Sequence, residues 1–90
     1  MNHIASVILN ITESQKATAL LLSQDLSVKQ IAQLRHLSPY VIEGDTKAIR
    51  EKTGSSTIYG ALIILIATDN IKEDDLINCA TRHLKDKLLL

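Results

Sequence analysis

Apolar residues recur along this chain at three- and four-residue intervals, and each run is interrupted by residues that favour helix ends. At Thr12 the sequence TESQ forms a capping box. The Thr12 hydroxyl accepts from the backbone N–H of Gln15, and the Gln15 amide reaches back to the Thr12 N–H. A first helix follows to about Gln24, with Ala17, Leu20, Leu21 and Leu22 as its apolar side. Ser27 opens a second box, SVKQ, and Val28, Ile31, Ala32 and Leu34 supply the buried side of a short helix ending near Arg35. A turn from His36 to Ser38 leads to Pro39, whose missing N–H costs nothing at a first helical position. The third helix carries Val41, Ile42 and Ile49 inward, with Tyr40 near its start, and stops at Gly54, which suits a left-handed C-terminal position.

Ser55, Ser56 and Thr57 offer caps for a fourth helix through about Thr68, apolar almost all round. Ile58, Leu62, Ile63, Leu65 and Ile66 cannot all face one small core, so a neighbour or a second subunit must cover the surplus. From Lys72 to Leu90 the segment reads as a fifth helix. Acids occupy its first turn and Lys85 and Lys87 its last, while Ile77, Ala80, Leu84 and Leu88 form a stripe flanked by Leu76. The opening residues place Ile4, Val7, Ile8 and Ile11 at helix-like spacings without a clear cap, so this arm is left unassigned. The expected architecture is all-α, with no sheet: an N-terminal arm over 1–10, a four-helix domain over 11–71 and an extra C-terminal helix over 72–90.

Composition narrows the function. Ninety residues suffice for one small domain, and with aromatics at 2% the core must be built from Leu, Ile, Val and Ala. Ten basic residues balance ten acidic ones, so any affinity for nucleic acid must come from local placement rather than a strong overall field. Two tyrosines offer little stacking surface for single strands. No nucleophile sits with a base and no glycine-rich loop cradles phosphate, so an enzyme is not expected. Cys79 and His83, four apart, provide two corners of a zinc site that wants four, and His3 and His36 do not complete it. No metal or cofactor is expected. A lone cysteine, no secretory pattern and an apolar run of only eleven residues, Ile58 to Thr68, point to the cytoplasm and away from the membrane.

From Ile11 to about Ile71 the chain resembles the LuxR/GerE-type helix-turn-helix family, which is also found at the end of FixJ- and NarL-like response regulators. The resemblance runs without a gap through ITESQ, LSVKQIA, the LSP that opens the third helix, AIREKTGSS and the apolar helix beyond. It implies a four-helix DNA-binding transcription regulator whose third helix reads the major groove. It also implies a homodimer formed through the fourth helix, at Ile58, Leu62, Leu65 and Ile66. Family base contacts would map to Glu43, Gly44 and Lys47, and Lys29, Arg35, Lys47, Arg50 and Lys52 would form a set positioned on phosphates. The chain departs from the family at Gln15, Ala19 and Asp25, where the family usually has Glu, Leu and Gly.

It departs again at Val41, Ile42, Glu43, Gly44 and Asp45, where the family usually has Thr-Val, then a basic or amide residue, and a His or similar residue a little later. Glu43 and Asp45 are expected on the outward face. Between Ser38 and Gly54 the bases Lys47, Arg50 and Lys52 are matched by Glu43, Asp45 and Glu51, which makes the reading helix neutral. Two alternatives stay open on these residues. The bases could be a solvated surface paired with acids, such as Lys47 with Glu43 and Glu51. Or the module could have lost readout and act by pairing with another transcription regulator.

Overall fold

The computed structural model describes residues 8–78, and within them the chain is all-helical, with no strand. Four helices run in order, α1 (Glu13–Leu22), α2 (Val28–Arg35), α3 (Pro39–Thr53) and α4 (Ile58–Ala67), and residues 73–78 begin a further helical segment. The expected remainder of that segment, with Cys79, Ala80, His83, Leu84, Lys85, Lys87 and Leu88, lies outside the described residues, as do His3 and Ile4.

The caps fall where the side-chain chemistry places them. The Thr12 Oγ1 accepts from Gln15 N at 3.1 Å while the Thr12 N–H donates to Gln15 Oε1 at 3.1 Å. The second box repeats this at Ser27 and Gln30, with distances of 3.1 and 2.8 Å. Ser38 caps α3 ahead of Pro39, and Thr57, rather than Ser55 or Ser56, caps α4 by accepting from Gly60 N at 3.1 Å. Beyond each helix the chain turns through a residue of positive φ: Asp25, His36, Gly54 and Asp69. Gly54 takes this conformation without strain, and the other three are Asp or His, residue types that enter it more readily than most. α1 is slightly shorter than its apolar run suggests, because the chain leaves the helix after Leu22 to reach the left-handed Asp25.

Two apolar clusters form the core. One gathers Ala19, Ile49, Ala61, Leu62, Leu65 and Ile71, with Leu9, Ile11, Leu20, Ile58, Ile66 and Leu76 packed around it. The other joins Ile31 and Ala32 of α2 to Ile42 of α3, under Leu21, Leu22, Leu26 and Val28. α3 belongs to both and packs against α1, α2 and α4, so it is the central element. Leu9 and Leu76 tie the flanking segments to the first cluster, and a 3.3 Å ion pair from Lys16 to Asp75 fixes residues 73–78 beside α1.

Two inward expectations and one outward one need correction. Leu34 is 61% exposed and Val41 39%, and Asp45, expected outside, is buried. In α2 the inward stripe runs Val28, Ile31, Ala32 and Arg35, which carries Leu34 round to the open side. In α3 the stripe runs Ile42, Asp45 and Ile49 at helical spacing, so the carboxylate enters the protein between two isoleucines.

Candidate nucleic-acid interface

α2 and α3 meet across His36, Leu37 and Ser38, and their relative pose is locked by a polar cluster rather than by packing alone. Asp45 Oδ2 accepts from Ser14 Oγ at 2.9 Å, from Thr18 Oγ1 at 2.7 Å and from Arg35 Nη1 at 3.3 Å. Arg35 also donates to the Ser14 carbonyl at 3.2 Å and to Thr18 Oγ1 at 2.7 Å, and through Nη2 to Ser14 Oγ at 3.2 Å. One acid on α3, one cation at the end of α2 and two hydroxyls on α1 therefore satisfy one another, and no buried side-chain polar atom among the described residues lacks a partner. Such a network favours one arrangement of three helices, because a shift of any of them strands a donor or a charge in low dielectric.

With its inward stripe fixed, α3 turns the opposite side to solvent. Tyr40, Glu43, Gly44, Lys47, Arg50 and Glu51 are all exposed, and Tyr40, Glu43, Gly44 and Lys47 line a shallow hollow. Nothing lies within 4 Å of where a Cβ on Gly44 would stand, so the backbone is open to a close approach at that point. Lys47 makes a loose 4.0 Å pair with Glu51, both side chains well exposed, rather than with Glu43. At this exposure the pair contributes under about 1 kcal/mol and leaves the ammonium available.

The expected phosphate-positioning set divides. Lys29, Lys47 and Arg50 are exposed at the start of α2 and along α3. Arg35 and Lys52 are committed to the fold: Arg35 to Asp45, and Lys52 Nζ to the Asn10 carbonyl at 2.6 Å and Gln15 Oε1 at 2.7 Å. The α3 surface stays neutral, since Asp45 and Lys52 both leave it and Lys47 and Arg50 face Glu43 and Glu51.

The residues expected at a dimer contact need a similar correction. Leu62 and Leu65 are inside the protein's own core, and Ile58 and Ile66 are partly buried against it. The apolar side chains that α4 turns outward are Tyr59 at 70% exposure and Ile63 at 67%. The all-apolar helix hid which of its sides remained free.

Sequence reasoning also missed an apolar rim around the turn, made by Leu34, Leu37, Tyr40 and Val41, all exposed. The signal was present as four large apolar residues within eight positions, but Leu34 and Val41 were expected inside and Leu37 lay in the turn. Among the described residues no group of three or more His, Cys, Asp or Glu side chains is placed to hold a metal, and no helix is long and apolar enough to cross a membrane. Compared with protein-family models, curated proteins and solved structures, the chain matches none.

Proposed function

We propose that this protein is a DNA-binding transcriptional regulator of the LuxR/GerE helix-turn-helix type, laying α3 in the major groove and working as a homodimer. One observation carries the reading: α3 is clamped on its inner side by Asp45 and Arg35 while its outer side, from Tyr40 to Glu51, is free along its length. A helix rigidly presented in this way, and entered through a tight turn from a second helix, fits the dimensions of the groove. Lys29 and Arg50 lie where phosphates would flank it, and Lys47 reaches toward base edges. The dimer forms through Tyr59 and Ile63 of α4 rather than through Leu62 and Leu65. Two protomers then address half-sites about one helical turn, ~34 Å, apart.

The test is titration of duplex DNA at several salt concentrations. Two phosphate-directed cations per protomer, Lys29 and Arg50, give about four per dimer and a slope of log Kobs against log salt near −4. No duplex binding at low ionic strength would overturn the proposal.

The apolar rim of Leu34, Leu37, Tyr40 and Val41 favours a second reading, because a helix tip that enters DNA gains little from so much exposed aliphatic surface. On that reading the module pairs with another regulator through the rim. Glu43→Lys separates the two. A DNA reader changes its sequence preference, whereas a pairing module keeps its protein partner and acquires new, salt-sensitive DNA affinity.

A further inference from the structure

We propose that Glu43 is a specificity-determining residue that selects a cytosine in each half-site, and that Lys47 selects a guanine within about two base pairs of it. This rests on the DNA-binding reading. Glu43 is exposed on the free side of α3, and among the described residues no cation lies within ion-pair distance of its carboxylate. A bare carboxylate carried toward DNA is repelled by phosphates, so its position is tolerated only where it meets a donor.

The major groove offers two such donors, the N4 amino group of cytosine and the N6 amino group of adenine. Adenine sets the acceptor N7 beside its amino group, which opposes a carboxylate. Cytosine presents its donor without a neighbouring acceptor on the same base, so it is the base that suits Glu43. Gly44 strengthens the argument, because the open space over its Cα lets a base edge come closer than any side chain there would allow, within reach of the short Glu43 arm.

Lys47 lies one turn further along the same side. Four residues at ~1.5 Å cover about 6 Å of helix axis, which corresponds to roughly two steps of ~3.4 Å in the duplex. Its ammonium donates and accepts nothing, which matches the O6 and N7 acceptors of guanine. The loose pair with Glu51 yields readily to that contact.

The test selects bound sequences from a random duplex pool at low salt with the wild-type protein, Glu43→Gln and Glu43→Ala. Circular dichroism confirms that both variants fold, as an exposed position permits. The wild type should enrich cytosine at one position per half-site by about fivefold to tenfold, the lower end of a single base contact. Glu43→Gln should move that position to adenine, which an amide can bond through N6 and N7, and Glu43→Ala should erase preference there while leaving the guanine in place. An enriched motif that the Glu43 variants leave unchanged would overturn this inference and keep the regulator. Absence of salt-sensitive binding by the wild type would overturn both.

Discussion

Replacing Asp45 by Ala removes the acceptor shared by Ser14, Thr18 and Arg35, and the consequences follow from the geometry of that cluster. Thr18 is fully buried, and the Arg35 and Asp45 side chains keep only 19% and 12% of their exposure. Breaking a fully buried pair from one side costs about 3–5 kcal/mol, because the remaining charge has lost its counterion. Arg35 retains the Ser14 carbonyl and the Thr18 hydroxyl as acceptors and some access to water, which reduces the expected loss to about 2–3 kcal/mol. A small domain with a total stability near the low end of the usual ~5–15 kcal/mol would lose a large part of it. Thermal unfolding followed by far-ultraviolet circular dichroism should show a fall in Tm of roughly 10–20 °C, at about 4–8 °C for each kcal/mol in a domain of this size. Asp45→Asn, which keeps an acceptor oxygen but not the charge, should lose about half as much. In a cycle with Arg35→Ala the double variant should be less destabilised than the sum of the two single ones, since each single change already breaks the same pair. A change below about 0.5 kcal/mol for Asp45→Ala, or strict additivity in the cycle, would refute the claim that this cluster fixes the pose of α3.

Gly44→Ala should stabilise the free protein by about 0.8–1 kcal/mol in urea unfolding, since the new methyl meets no atom, and should weaken duplex binding by filling the space that a base edge needs. Arg50→Ala should flatten the salt dependence of DNA affinity by about 0.9 per site with little change in stability, whereas Lys52→Ala should leave the slope intact and lower stability, because Lys52 anchors Asn10 and Gln15. On α4, Ile63→Asp should abolish self-association measured by sedimentation while the monomer stays folded. Leu65→Ala should instead destabilise the monomer by about 2.7–5 kcal/mol, the usual range for a buried leucine.

Much of the helical framework was legible because its signals are local. Thr12 with Gln15, Ser27 with Gln30 and Ser38 with Val41 each determine a helix start through bonds between residues three apart, Pro39 adds its fixed φ to the third, and Gly54 ends α3 through its own backbone freedom. The faces of the helices were harder to read. Asp45 stands three residues after Ile42 and four before Ile49, so periodicity alone would have placed it inside, but a carboxylate is ordinarily assigned to water unless its partners are known. Those partners, Ser14, Thr18 and Arg35, lie ten to thirty-one residues away in sequence and become neighbours only once three helices have packed. Arg35 illustrates the same point from the other side: as a helix-end cation it reads as solvated, and its burial depends on the acid that faces it.

α4 failed to declare its orientation for the opposite reason. With Ile58, Leu62, Ile63, Leu65 and Ile66 in one turn after another, no polar stripe marks the open side, and only packing against Ala19, Ile49 and Ile71 decides that Leu62 and Leu65 go in while Tyr59 and Ile63 stay out. The charge balance at the candidate interface was correct in sum but composed of different residues. One acid and one base were withdrawn into the structure, leaving Lys47 and Arg50 to oppose Glu43 and Glu51.

The most direct measurement of the central claim is a nuclear magnetic resonance titration of the isotopically labelled protein with a short duplex at low salt, reading backbone amide shifts residue by residue. Shifts concentrated at Lys29 and along Tyr40, Glu43, Gly44, Lys47 and Arg50, with Ile42 and Ile49 affected least, are the predicted result. Shifts confined to Tyr59 and Ile63, or none at any residue, would contradict it.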